Sequence, residues 1–146
     1  MTFTMPTPRR WTALRPWRRH SLVLTLGGFI YLSVGMVYLG TDAPPSRNRS
    51  LELALNVAPL QVWGLVWIAA GIAGLISARW PPASEKWGYT VMSSLAALWG
   101  SGYALGVLFL DTPDQALSGG AVWTLVAVLW WGISGLENPG RVMREG

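Results

Sequence analysis

The stretch VAPLQVWGLVWIAAGIAGLISA, from Val57 to Ala78, runs for 22 residues without a charged side chain. A hydrocarbon core roughly 30 Å thick is crossed by about 20 residues of helix at 1.5 Å each, so this stretch has the length of a membrane span. Three further uncharged runs of similar length occur at Ser21 to Gly40, Tyr89 to Leu110 and Gly119 to Leu136. Lipid offers backbone N–H and C=O groups no partner, so spanning segments are helices or strands of a closed barrel. None of the four runs shows the alternation of a barrel strand. Of the 146 residues, 51% are hydrophobic and 12% charged, about half the charged share usual in soluble proteins. The expected fold is therefore an all-α membrane protein, a four-transmembrane-helix bundle over residues 21–146 behind a basic tail at 1–20.

The placement of charge sets the orientation. Nine of the eleven basic residues lie on one side: Arg9, Arg10, Arg15, Arg18 and Arg19 before the first run, Arg79 and Lys86 between the second and third, Arg141 and Arg144 after the fourth. Only Arg47 and Arg49 fall on the other side, and the loop with Asp111 and Asp114 has no base. The excess of positive charge on cytoplasmic loops then predicts a multi-pass protein of the cytoplasmic membrane with both termini inside. Because topology accounts for the net charge of +4, no nucleic-acid partner is expected. Arg18-Arg19-His20-Ser21 has the outward form of a twin-arginine export signal. The long apolar run behind it lacks a small-x-small cleavage pattern, which suits an uncleaved anchor.

Pro6, Pro8 and Pro16 oppose a long regular helix in the tail. Trp11 and Trp17 among its arginines suit the headgroup layer, where indoles sit at the interface and guanidinium groups meet anionic lipid. A solvated tail whose arginines only set topology fits equally. Trp63 and Trp123 are expected at the outer interface, with Trp80, Trp87, Arg18 and Arg19 at the inner one. Trp67, Trp99, Trp130 and Trp131 fall deeper, as packing residues. A short outer-surface helix is expected over Ser50 to Leu55, capped by Ser50.

Small residues at helical spacing predict a compact bundle, since they let helix backbones approach. Gly28, Tyr31, Gly35 and Tyr38 share a face of helix 1; Gly64, Trp67, Gly71, Gly74 and Ala78 share one of helix 2. Helix 3 carries Ala96 with Gly100, and the GxxxG pair Gly102 with Gly106; helix 4 carries Gly132. This packing serves either one chain or a homo-oligomer. Val62-Trp63-Gly64-Leu65-Val66 matches Val122-Trp123-Thr124-Leu125-Val126 at an offset of 60, and Leu39–Asp42 parallels Leu108–Asp111 at an offset of 69. Such a pattern suggests a duplicated helical hairpin whose repeats run parallel.

Residues for chemistry are scarce. The chain has no cysteine and one histidine, which removes thiolate catalysis and leaves no metal-ligand set. Asp42, Glu52, Glu85, Asp111, Asp114, Glu137 and Glu145 all fall at helix ends, loops or tails, whereas a coupled transporter keeps an ionisable group inside the membrane. Ser33, Ser93, Ser94 and Ser101 are the polar residues that could line a narrow path. Gly132-Ile133-Ser134-Gly135 has the form of an intramembrane serine-protease motif, but its serine lacks a base, His20 lying at the start of helix 1. No catalytic, cofactor or metal site is expected, and the chain reads as a non-enzyme.

With its basic Trp-containing tail, four spans, Trp-Gly-Tyr at 87–89 and Leu-Trp-Trp-Gly at 129–132, the chain resembles small four-span membrane proteins of actinobacteria and their phages, some labelled as holins. The resemblance implies a lysis protein that oligomerises, permeabilises the cytoplasmic membrane, and releases or activates a cell-wall hydrolase. The competing expectations are a membrane accessory, scaffold or phage exclusion protein, and a small transporter or channel subunit.

Overall fold

A computed structural model describes residues 19–40, 51–80, 85–110 and 116–136, and every regular element among them is a helix. Four helices are long and apolar enough to cross a membrane: α1 (Arg19–Gly40), α3 (Leu60–Arg79), α4 (Glu85–Phe109) and α5 (Ala116–Gly135). The short α2 (Glu52–Val57) precedes α3. Outward faces carry Leu26, Phe29, Ile30, Leu65, Leu98, Leu125 and Leu129, all more than half exposed. Helices apolar on their outer as well as inner faces belong in hydrocarbon, so this is the architecture of a multi-pass membrane protein.

All four helices start at a residue other than the one that opens their uncharged run, and two of these starts have a local physical reason. Val57 is expected to open the second span, but it ends α2. Ala58 and Pro59 are extended, and α3 starts at Leu60 with Pro59 as its N-cap. Proline suits a helix entrance because its missing N–H would have no intrahelical partner there. The third span begins at Glu85 and not Tyr89, its acidic side chain lying in the first turn where the helix dipole favours negative charge. The cap of α2 is Leu51, which makes no side-chain cap bond; Ser50 lies outside the described residues. Leu51 is buried, and α2 folds onto α4.

Two antiparallel hairpins, α1 with α3 and α4 with α5, form the bundle and pack together mainly through α3 and α4. In the first, a Cβ on Gly28 would stand 2.9 Å from the Gly71 carbonyl oxygen, and one on Gly35 would stand 2.6 Å from that of Gly64. Both approaches are reciprocal, with Gly71 meeting the Gly28 oxygen and Gly64 the Gly35 oxygen. Two backbones thus touch with no side chain between them, which only glycine permits. One helical repeat further, the Ser21 hydroxyl donates to the Ala78 carbonyl at 2.9 Å. In the second hairpin Gly100 meets Gly120, and the Ser93 hydroxyl donates to the Ala127 carbonyl at 2.9 Å.

Candidate functional site

The interior is filled by aromatic side chains in a column from the start of α1 to the end that carries α2. The Tyr89 hydroxyl donates to the His20 carbonyl at 3.1 Å and lies 3.3 Å from His20 Nδ1. Tyr89 faces Trp130 at a ring distance of 6.0 Å, and Trp130 meets Tyr31 at 6.5 Å. Tyr31 lies 4.8 Å from Trp67, while its hydroxyl donates to the Met92 carbonyl at 2.7 Å. Trp67 then contacts Trp123 at 4.7 Å and Trp99 at 5.7 Å, and Trp99 contacts Trp63 and Tyr38. Tilted and edge-on arrangements prevail, as ring quadrupoles favour. The Nε1 atoms of Trp67 and Trp99 are buried with no hydrogen-bond acceptor, so these indoles act by filling volume.

At the α2 end the column borders an apolar hollow of about 100 Å³ lined by Leu51, Ala54, Val57, Trp63, Trp99 and Gly102, among others. Trp63 Nε1 donates to the Ala54 carbonyl at 2.9 Å and thereby ties α2 across the mouth of the bundle.

The glycines expected to pack divide into two groups. Gly28, Gly35, Gly64 and Gly71 form the close seam described above, Gly74 meets the Met92 sulfur, and Gly106 is buried. Gly102 and Gly132 do not pack: a Cβ on either would meet nothing within 4 Å. Gly102 borders the hollow, and Gly132 lies on the outward face of α5. Gly27, Gly88 and Gly120 were not among the expected packing residues, yet all three are buried at helix contacts. Gly27 does stand beside Gly28, already read as inward-facing.

The expected interfacial residues also divide. Trp80 and Trp87 are exposed, and Arg19 stands exposed at the start of α1. Trp63 and Trp123 belong instead to the aromatic column, half-buried against Trp99 and Trp67. An indole near a span end anchors only when it faces outward, and these two face other helices. Trp131, expected to pack, is 73% exposed; a residue turned about 100° from Trp130 cannot share its inward face. Trp11, Trp17 and Arg18 lie outside the described residues.

No common polar path joins the serines. Ser33 and Ser101 donate within their own helices on exposed faces, Ser94 is exposed, and Ser93 is bonded across the second hairpin. The Ser134 hydroxyl donates to the Trp131 carbonyl of its own helix at 2.6 Å. Among the described residues no group of three His, Cys, Asp or Glu side chains could hold a metal ion. No protein-family model, curated protein or solved structure matches the chain.

Proposed function

We propose that this chain is a non-enzymatic accessory or scaffold protein of the cytoplasmic membrane, acting through its outward surfaces on a membrane partner. One observation carries the reading: the interior is occupied by an aromatic column, and the glycine seams are used within the chain. Among the described residues that interior leaves neither a polar route for a solute nor, along α1 and α3, a free glycine face for pore assembly. The described charged residues Arg19, Glu52, Arg79, Glu85 and Lys86 all stand at helix ends, whereas ion-coupled transport needs a site partway across. The column-bordering hollow and the outward face of α5 are the surfaces such a partner would meet.

Orientation follows from the charge distribution, with both termini cytoplasmic. A reporter fused after Gly146 is expected to be active only as a cytoplasmic fusion, and one at Pro45 only as an external fusion. The opposite pattern at both sites overturns the orientation.

A holin-like role is the second reading, favoured by α5: only Ala116, Gly120 and Ala127 are buried on it, and Gly132 is open to a neighbouring helix. A potential-sensitive dye in cells expressing the chain alone separates the two. Sustained expression with normal growth and membrane potential is the expected result. Abrupt loss of potential after a delay, the mark of assembly reaching a threshold, would install the lysis reading instead.

A further inference from the structure

Gly102 is a glycine without a packing reason. A Cβ there would meet nothing within 4 Å, and glycine gives up more backbone freedom in a helix than any other residue. What the position keeps is space. Leu98, Leu105 and Phe109 share its face of α4, one turn before it and one and two turns after it, and all three are exposed. Gly102 is therefore a notch in a lipid-facing stripe, and the apolar hollow of about 100 Å³ lies at that notch. Leu98 and Val57 line the hollow and are themselves exposed, so it is continuous with the surface that meets hydrocarbon.

The opposite wall is α2. Leu53, Ala54 and Val57 line the hollow, while Glu52 and Asn56, one turn apart, are exposed. A helix with one polar and one apolar face lies at the boundary between headgroups and acyl chains, which puts the hollow on the hydrocarbon side of that boundary. Trp63 Nε1, a donor at its rim, is already given to the Ala54 carbonyl at 2.9 Å. An apolar cavity of roughly 150 Å³ stays dry and takes up benzene, so a hollow of this lining favours methylene groups over water. A helix with its side chains is about 10–12 Å across and is too thick to enter. A single acyl chain is thin enough, and it is the apolar molecule that a bilayer supplies at the opening.

We propose that the hollow binds one acyl chain of a bilayer phospholipid, seated against Trp99 between α2 and α4 and admitted by the side chain that Gly102 lacks. The methylenes supply the dispersion contacts that the lining residues forgo in an empty hollow. Tied by the Trp63 bond, α2 closes over the chain as a strap. This site does not depend on the accessory role proposed above; a lipid held there forms part of the surface that a partner meets.

Photolabelling of the full-length protein tests this, in phosphatidylcholine vesicles containing a small share of phosphatidylcholine with a diazirine midway along one acyl chain. Labels should concentrate on Leu53 to Val57 and Leu98 to Tyr103, above those on Leu125 and Leu129 of α5. Those two lie at a similar depth, because Trp123 of α5 and Trp99 of α4 both touch Trp67. Gly102→Leu fills the notch and should lower labelling of the hollow several-fold while leaving that of α5 unchanged; Gly102→Ala should lower it less. Should the leucine variant fail to insert, the alanine variant carries the comparison. Labelling equal on both faces and indifferent to Gly102 overturns the proposal, since the lipid there is then only the bulk that coats every span. Labelling of the hollow that fades as protein is raised relative to lipid assigns it to a second copy and overturns the proposal as well.

Discussion

Gly35→Leu is expected to separate α1 from α3 and cost about 3 kcal/mol or more, the upper end for overpacking. The reason is what the new side chain would meet: its Cβ would lie 2.6 Å from the Gly64 carbonyl oxygen and 2.9 Å from the Ile68 nitrogen. Those are backbone atoms of a neighbouring helix and cannot rotate aside. In lipid, where apolar burial adds little drive between helices, losing close packing removes much of what holds the hairpin. Gly102→Leu provides the contrast. Its Cβ meets nothing within 4 Å and its site borders the hollow, so a change within about 0.5 kcal/mol is expected, as for surface positions. Thermal unfolding of both variants in one detergent checks the pair. Equal loss would refute the assignment of these two glycines.

Trp67→Ala should cost about 3–5 kcal/mol, the usual range for removing a large aromatic from a packed interior. Trp67 is 0% exposed and touches Tyr31, Trp99 and Trp123, so it joins α1, α4 and α5 through one ring system. Trp67→Phe should cost far less, about 1–2 kcal/mol, because it keeps one ring and its indole N–H has no acceptor to lose. Denaturation followed by the remaining tryptophan fluorescence distinguishes the two. A phenylalanine variant as damaged as the alanine one would mean that the N–H has a partner after all.

The four spans were legible because charge is absent from runs of the required length, and hydrocarbon penalises charge more strictly than any packing preference. The inward faces of α1 and α3 were legible too: Gly28, Tyr31, Gly35 and Tyr38, and Gly64, Trp67, Gly71, Gly74 and Ala78, are all buried. Periodicity reveals a face but not what stands opposite it. Gly102 with Gly106 has the ideal GxxxG spacing, yet Gly102 borders the hollow, where a Cβ would meet nothing within 4 Å, and Gly100, two residues away, takes the contact. Trp63 misled for a related reason, since depth alone does not say whether an indole turns outward to lipid or inward to Trp99.

The aromatic column also has an optical consequence. Trp67 of the first hairpin lies 4.7 Å from Trp123 and 5.7 Å from Trp99 of the second. Indole transitions held so close and at fixed angles couple, and their coupling has a handed signature in circular dichroism. That coupling exists only while the hairpins are docked, whereas the backbone signal depends on the helices alone. The molecule therefore contains a native chromophore pair that separates assembly of its halves from formation of its helices, without any attached label.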